Sequence, residues 1–261
     1  GIVMGGGVGI SVMYNDEDVV LSAEHFVAVL MKLSMEITKS ANNGVALADA
    51  VIAVPYWFTD LQRRALVACA EIGQYHMLKI VNETTAIALG YGIYKSAKGL
   101  FHATEAANVM FIDMGYTGYQ VSIVSFIQEG MKVLATHGNS HLGGRDVDDL
   151  IVDYLIQKFK ESTKIDVSQN KKAILKLRAA AEKAKKTLSP HGVTESAVSI
   201  ECLAEECDLA CILKREELES RLGPMMNSLS KPIMDCLAEA GLESTQLAEV
   251  EITGGCTRVN L

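Results

Sequence analysis

Long apolar runs and an excess of basic side chains are both missing from this chain of 261 residues. No stretch approaches the roughly 18 consecutive apolar residues of a membrane-spanning helix, so the sequence predicts no membrane partner. Lys and Arg number 24 against 32 Asp and Glu, and the net charge of −8 argues against a nucleic-acid-binding surface. With 49% hydrophobic residues, the chain can bury one large core or two smaller ones.

Cysteines occur six times, but without the paired spacing of a zinc site. They lie within apolar or helical patterns, at Cys69, Cys202, Cys207, Cys211, Cys236 and Cys256. This usage indicates free thiols in a reducing compartment, so we expect the cytoplasm, with the nucleus as a second location.

One junction between a strand-like run and glycines involves Asp113. The apolar run 109–112 ends at this residue, and the segment 113–118 (DMGYTG) leads directly into a second apolar run, which predicts a buried hairpin with a carboxylate at its turn. Glycines let backbone amides approach an anion, and a strand-end Asp can hold water on a divalent cation. The hairpin therefore suits a metal-bound phosphate, with an ordinary turn as the alternative.

Two glycine pairs make similar junctions. Gly143 and Gly144 precede an apolar helical pattern, and a helix N-terminus is a ready anion site, although the acidic residues that follow would repel phosphate. Gly254 and Gly255 follow a strand-like run and come shortly before a cation, Arg258. Three such junctions predict one shared ligand.

Strand and helix patterns alternate in the first part of the chain. The run 50–54 predicts a buried strand, and Thr59 with Gln62 matches a capping box that starts a helix over 60–72. A second apolar run at 77–81 passes into another helix. Strand, helix, strand and helix together predict a mostly parallel sheet.

An earlier helix is predicted behind Ser22, which is placed to cap it. Its apolar positions recur at helical spacing and predict a core-facing stripe, formed by Phe26, Val29, Leu30, Leu33 and Ile37. The glycines within 5–9 lack the spacing of a phosphate loop and predict a turn between strands.

Four motif segments carry a family resemblance. They are 51–64 (VIAVPYWFTDLQRR), 82–86 (NETTA), 141–144 (HLGG) and 254–258 (GGCTR). In order and rough spacing they resemble the nucleotide-binding domain of the 70-kDa heat-shock chaperones, and the match runs from about residue 22 to residue 258. The resemblance implies an α/β fold of the actin-like (ribonuclease H-like) ATPase class, with lobe I over 1–107 and lobe II, on the adenosine and phosphate side, over 108–261.

Further details resemble the divergent 110-kDa branch of that family. Thr84 stands where the main branch carries proline, the turn 113–118 replaces a triple-glycine-threonine turn, and 165–170 (IDVSQN) and 200–203 (IECL) are similar to plant-type members. Members of this branch serve largely as nucleotide exchange factors and holdases. The resemblance thus implies a role in stress response and protein folding, with ATP or ADP and Mg²⁺ as cofactors. Its implied partners are a 70-kDa chaperone and unfolded clients.

The resemblance also assigns residues one by one. It places Asp113 in the magnesium and water shell as a catalytic residue, and Glu83 in the same network beside the attacking water. The residues implied to bind nucleotide are Gly115, Gly143, Gly144, Glu182, Lys185, Lys186, Ser189, Gly254, Gly255, Cys256 and Arg258. Pro55 and Arg63 match a proline switch and an arginine of interdomain signalling, with a proline that starts a helix and an exposed arginine as the alternatives.

Two departures from the family pattern affect the chemistry. Tyr116 and Thr117 stand where the main branch has glycines, so a bulky side chain intrudes beside the phosphates. Misplacing catalytic groups by an ångström can cost on the order of a hundredfold in rate, and we therefore expect slow or no ATP hydrolysis by this chain. The family's first hairpin has no counterpart before Ser22, which predicts a fragment with an incomplete first lobe that keeps mainly the adenosine half-site.

Two other functions stay open at this point. The actin-like fold also serves small-molecule phosphotransferases, although no acceptor pocket is evident in the sequence. A nucleotide-independent module that binds a chaperone partner is the second alternative.

Overall fold

The chain divides into unit 1, Gly1–Ala86, and unit 2, Ile87–Leu261. The computed structural model describes residues 8–259, so most of the predicted glycine turn at 5–9 lies outside the described residues. Both units mix helices and strands, as the sequence predicts. The lobe division after residue 107 follows the family pattern and stays a prediction, whereas the two units divide 21 residues earlier, between 86 and 87.

The described part of unit 1 starts with a hairpin that the sequence patterns did not reveal. Strands β1 (Gly9–Tyr14) and β2 (Glu17–Ser22) pair in antiparallel register. Asn15 and Asp16 form the turn with φ of 51° and 63°. Both residue types tolerate this left-handed conformation, which matches the twist of a two-residue hairpin.

Helix α1 (Ala23–Ala41) follows, and its apolar stripe is not the predicted core. Val29, Leu30, Leu33 and Ile37 are all more than half exposed, and the buried face carries Ala28 and Met35 instead. Ser22 does occupy the N-cap position, but its hydroxyl bonds to His25 Nδ1 at 2.9 Å rather than to a backbone amide. Periodicity identified the helix correctly but not the face that packs.

The remainder of unit 1 agrees with the sequence patterns. Strands β3 (Asp49–Val54) and β4 (His76–Asn82) pair in parallel around helix α2 (Asp60–Ile72). The capping box is present, because the Gln62 amide donates to Thr59 Oγ1 at 3.3 Å and the Thr59 amide donates to Gln62 Oε1 at 2.9 Å. Helix α3 (Glu83–Ala97) starts directly after β4.

Unit 2 contains a four-stranded sheet with both parallel and antiparallel neighbours. Strands β5 (Ala107–Met114), β6 (Tyr119–Ile127) and β7 (Gly130–Asn139) are antiparallel neighbours. Strand β10 (Glu249–Thr253) adds to β5 in parallel, which gives the order β10-β5-β6-β7. The hairpin predicted around Asp113 is present as β5 and β6, and short turns, which can join only antiparallel strands, connect β5, β6 and β7.

Three long helices and a separate two-stranded hairpin also belong to unit 2. Helices α4 (Gly144–Thr163), α5 (Lys171–Leu188) and α6 (Arg215–Ala240) contribute to one large apolar core, together with strands β8 (Glu195–Ala204) and β9 (Cys207–Lys214). A smaller cluster contains Phe111 and Phe126, and Tyr91 of α3 packs against it. The largest fully buried side chains of the described residues all belong to unit 2.

All six cysteines are free. Burial raises the pKa of the Cys236 thiol to about 12, and this thiol donates to the Val121 carbonyl at 3.2 Å. Within residues 8–259, none of the helices combines the length and apolarity that crossing a membrane requires.

Candidate functional site

Most of the residues that the family resemblance assigns to nucleotide binding line one cavity of about 460 Å³ in unit 2. The turn after β5, the start of α4, the end of α5 and a short 3-10 helix (Gly255–Arg258) supply its walls. The lining residues are Tyr116, Gly144, Glu182, Lys185, Lys186, Ser189, Gly255, Cys256, Arg258 and Val259. Segments far apart in the sequence therefore meet at one place.

Gly254 directly follows β10 and packs against the end of β5, next to this cavity. Because β10 and β5 are parallel, with Thr253 opposite Asp113, their carboxyl ends lie at the same edge of the sheet. The φ of Gly254 is 95°, and a Cβ there would lie 2.3 Å from the Met114 carbonyl oxygen and 2.6 Å from Asp113 Oδ1. Only glycine allows this approach.

Gly143 has a similar packing role at the start of α4. A Cβ there would lie 2.5 Å from the carbonyl oxygen of Tyr116 and 2.9 Å from that of Gly115. The turn after β5 therefore packs directly against the backbone that leads into α4. Gly115, one of the predicted site residues, contributes its carbonyl to this contact rather than lining the cavity.

The backbone amides at the start of α4 already have acceptors. Gly144 donates to the Gly115 carbonyl at 3.0 Å, and Arg145 donates to the Tyr116 carbonyl at 2.8 Å. The Gly143 amide donates to Asp146 Oδ2 at 2.8 Å. These groups would have to exchange partners before they could bind an anion, so phosphate contact by Gly143 and Gly144 stays a prediction.

Lys185 and Asp148 form a buried ion pair at the base of the cavity. Lys185 Nζ lies 2.7 Å from Asp148 Oδ1, and the two side chains are 9% and 4% exposed. Lys185 Nζ also donates to the Gly144 carbonyl at 3.2 Å. Burial raises the pKa of Asp148, and the neighbouring ammonium opposes this effect. The sequence did not identify Asp148, although its position one turn after Gly144 faces it toward α5.

The other α5 residues lie along the cavity rim. Lys186 Nζ contacts Glu182 Oε1 at 2.7 Å in an exposed pair, and this hydrogen bond lowers the pKa of Glu182. Ser189 Oγ donates to the Lys185 carbonyl at 2.9 Å. All four predicted α5 residues therefore share one helix face, as their spacing of three to four residues requires.

The 3-10 helix supplies the opposite wall. Cys256 is buried, and this burial raises the pKa of its thiol. Arg258 is exposed on the cavity, and its guanidinium has no ion-pair partner within residues 8–259. A planar cation at a cavity wall is suited to stacking on an aromatic ring system.

Tyr116 is one of the residues that line the cavity. Its ring lies close to the Cα of Gly144, where an added Cβ would be 3.6 Å from Tyr116 Cδ2. The Lys185 ammonium is 5.7 Å from the ring centroid. The substitution that the sequence marked as intrusive thus forms part of the wall.

Of the two predicted catalytic residues, Asp113 belongs to unit 2 and Glu83 to unit 1. Asp113 is half-buried near the end of β5, and Glu83 is the half-buried first residue of α3. Within residues 8–259, no group of three or more His, Cys, Asp or Glu forms a metal site. The assignment of Asp113 to a magnesium and water shell stays a prediction.

The predicted switch residues lie in unit 1. Arg63 is half-buried, so it is not the exposed arginine of the alternative interpretation. It donates from Nε to the Phe58 carbonyl at 3.0 Å and from Nη2 to Asn82 Oδ1 at 2.7 Å. Arg63 thereby connects the loop after Pro55, which contains Trp57, to the residue before Glu83.

Comparisons with known proteins find similar sequences over most of this chain. A family model described as Hsp70 protein matches residues 3–261. Heat shock 70 kDa protein 14 of Arabidopsis thaliana is 41% identical over 218 residues, which cover 84% of this chain and 26% of that protein. Heat shock 70 kDa protein 4L of Homo sapiens is 34% identical over 254 residues, covering 97% and 30%, respectively.

A third relative shows the same pattern. Heat shock protein hsp88 of Neurospora crassa is 36% identical over 255 residues, which cover 97% of this chain and 35% of that protein. The chain spans from about a quarter to just over a third of the length of these three relatives.

The packing at Gly254 generates a first prediction. Gly254→Ala should destabilise unit 2 by about 3 kcal/mol, because its backbone conformation is essentially restricted to glycine and the new Cβ would overlap the Met114 carbonyl. Urea denaturation followed by far-ultraviolet circular dichroism measures the change. Gly255→Ala is the matched control, since nothing lies within 4 Å of a Cβ at that position. Equal stability of the two variants would contradict the packing role.

Adjacent lysines on α5 provide a second prediction. Lys185→Ala should lower the free energy of unfolding by about 3–5 kcal/mol, because it leaves the Asp148 carboxylate buried without its partner. Lys186→Ala breaks only the exposed pair with Glu182 and should cost less than about 1 kcal/mol. Chemical denaturation of both variants gives the comparison.

The pH dependence of Lys185→Ala follows from the same burial. A raised pKa of Asp148 favours the protonated carboxyl in the folded chain, and loss of Lys185 strengthens this preference. Stability of the variant should therefore fall as the pH rises from about 4 to 7, because the unfolded chain releases its proton first. A variant whose stability rises over this interval would exclude an uncompensated buried carboxyl.

Proposed function

This chain belongs to the Hsp70 family, and from that premise we propose that the cavity of unit 2 binds the adenosine part of ATP or ADP. One observation carries the proposal. Residues from α4, α5 and the 3-10 helix that the family pattern assigns to nucleotide line a single cavity of about 460 Å³. This volume lies in the range of small-ligand sites, and the walls offer both apolar surface and a few polar groups.

In the proposed complex, the exposed Arg258 guanidinium stacks on the purine ring. Glu182 and Ser189, on the opposite wall, offer a carboxylate and a hydroxyl to the ribose hydroxyls. Lys185 acts chiefly through its pair with Asp148, which holds α5 against the start of α4. Cys256, a residue of the 3-10 helix, lines the cavity as a buried thiol that burial keeps neutral.

On the family pattern we assign one phosphate-side role to Asp113 of unit 2 and, separately, another to Glu83 of unit 1. Asp113 would hold a water-bound magnesium ion, which would neutralise phosphate charge when bound. Glu83 would orient the attacking water. The bulk of Tyr116 disfavours a tight phosphate fit, and catalysis that relies on positioning loses rate steeply with small displacements. Binding is therefore the proposed activity, with hydrolysis slow or absent.

For a protein of the full length of these relatives, we propose a role as a chaperone and as a nucleotide exchange factor for a 70-kDa chaperone. The similarity to the relatives described above supports this role, since it extends over 84–97% of the present chain. A stopped-flow assay tests this role. Adding the full-length protein should accelerate the release of a fluorescent ADP analogue from a purified 70-kDa chaperone. An unchanged release rate with the full-length protein would exclude the exchange role.

Calorimetric titration tests the binding site itself. The chain should bind ATP and ADP saturably in magnesium, and Arg258→Ala should weaken both by about tenfold, because it removes a cation stacked on the base. Arg64→Ala is the matched control, since this exposed arginine of α2 forms an ion pair with Asp60 one turn away and does not line the cavity. An equal effect of the two substitutions would place the nucleotide elsewhere.

The titration, a retention experiment and an assay of ATP consumption together separate the alternative functions. A folded chain that gives no binding heat but is retained by an immobilised 70-kDa chaperone would be a nucleotide-independent module. ATP consumption that requires an added small-molecule acceptor would indicate a phosphotransferase.

Turnover measurements test the expected lack of hydrolysis. Steady-state phosphate release from Mg²⁺-ATP should stay close to the background of heat-denatured chain, because Tyr116 occupies the phosphate turn. A coupled phosphate assay at saturating ATP measures this rate. Robust turnover that Glu83→Ala abolishes would show that the site is catalytically competent despite the tyrosine.

A further inference from the structure

We propose that a second cavity of unit 2, outside the candidate nucleotide site, binds a phosphate group, either as free phosphate or as a phosphate ester. This cavity has a volume of about 330 Å³ and lies where α4, β9 and α6 meet. Its lining residues are Tyr154, Gln157, Lys158, Ile212, Lys214, Glu217 and Arg221. None of them lines the nucleotide cavity. We call it the basic cavity.

The charge of the basic cavity is opposite to that of the whole chain. Three of its seven lining residues are cationic, Lys158, Lys214 and Arg221, and one is a carboxylate, whereas the chain carries a net charge of −8. Burial raises the pKa of the Tyr154 hydroxyl, so this residue adds no negative charge at neutral pH. Like charges around one concave site repel each other, and a bound anion offsets this repulsion. The cavity therefore favours an anionic ligand.

Contacts with neighbouring side chains hold the Arg221 guanidinium in place. Its Nε donates to Glu217 Oε1 at 2.8 Å, and its Nη2 donates to Gln157 Oε1 at 3.3 Å. The guanidinium carbon lies 5.1 Å from the centroid of the Tyr154 ring, whose hydroxyl donates to the Ile212 carbonyl at 3.0 Å. These contacts use two of the five guanidinium donors. A planar guanidinium with free donors can bind two oxygens of one phosphate.

The two lysines add charge from other elements. Lys158 Nζ of α4 lies 5.6 Å from the centroid of the Tyr154 ring and pairs with Glu161 Oε2 at 2.8 Å, which leaves two of its three donors. Lys214 directly precedes α6, and within residues 8–259 its ammonium has no ion-pair or hydrogen-bond partner. The basic cavity thus combines a fixed guanidinium with an ammonium that lacks a counter-ion.

The number of donors favours phosphate over a carboxylate. A phosphate ester carries a charge of about −1.5 to −2 at neutral pH and presents three strong acceptor oxygens, whereas a carboxylate carries one charge and presents two oxygens. The cations come from α4, the end of β9 and α6, so they offer donors from three sides of one cavity. A ligand with three acceptor oxygens can use all three sides.

An amide NMR titration of the nitrogen-15-labelled chain tests the inference, because the spectrum reports folding, affinity and location together. Inorganic phosphate, acetyl-phosphoserine amide and acetyl-glutamate amide are titrated separately at about pH 7.5 and constant ionic strength. Phosphate should shift the amides of residues 157–158 and 214–221 saturably. The expected dissociation constant is about 1 mM, the affinity of three charge-assisted hydrogen bonds that contribute about tenfold each. Acetyl-glutamate amide should bind about tenfold more weakly than the phosphate compounds.

Two lysine variants locate the site. Lys214→Ala should weaken phosphate binding about tenfold and leave the chain folded, because Lys214 is exposed and its ammonium has no partner among the described residues. Lys172→Ala is the matched control, since Lys172 is also an exposed lysine without an ion pair in the described part of the chain. It belongs to α5 and lines neither cavity. Its replacement removes the same charge and should change the dissociation constant less than about twofold.

The two phosphate compounds also identify the source of the group. If acetyl-phosphoserine amide binds at least as tightly as inorganic phosphate, the basic cavity accepts a phosphorylated side chain. If inorganic phosphate alone binds, the cavity is a site for free phosphate. Either result supports the inference.

Several results would overturn it. They are the absence of saturable shifts up to about 20 mM phosphate, equal effects of the two lysine variants, and binding of acetyl-glutamate amide as tight as that of the phosphate compounds. Shifts confined to residues 254–258, together with weakening by Arg258→Ala but not by Lys214→Ala, would assign phosphate to the nucleotide cavity instead. In that case the inference fails while the proposed nucleotide function stands.

Discussion

The parallel pairing of β10 with β5 is the contact on which the site depends. It places Thr253 opposite Asp113, and the glycine after Thr253 then lies against the end of β5. The turn that follows β5 packs in turn on Gly143 and fixes the start of α4. From there the buried Asp148–Lys185 pair connects α4 to α5. A series of backbone contacts and one ion pair thus builds the cavity walls.

Much of this arrangement could be predicted from the sequence. The hairpin at Asp113, the capped helix α2 and the common face of the α5 residues follow from local patterns. The family resemblance, with its divergent branch and its mixed α/β fold of the actin-like ATPase class, is confirmed by the family match and the relatives. Local patterns sufficed because glycine turns, capping boxes and helical spacing are set by neighbouring residues.

The features that could not be predicted all depend on tertiary partners. Helical spacing showed that α1 has an apolar stripe but not that Val29 and Leu30 would stay exposed. Glycines at the start of α4 indicated close approach but not which group would approach, and the answer is a carbonyl of the same chain. Lys185 was recognisable as a site residue, whereas its buried partner Asp148 looked like an ordinary acidic residue of a first helical turn.

Trp57 has a practical consequence for solution studies of this chain. It is the sole tryptophan, and it lies in unit 1, in the loop that Arg63 holds and beside the ring of Tyr56 at 5.2 Å. Indole emission therefore originates entirely within unit 1. The cavity of unit 2 contains a tyrosine but no indole, so intrinsic tryptophan fluorescence samples a different part of the chain from the one that would hold ligand.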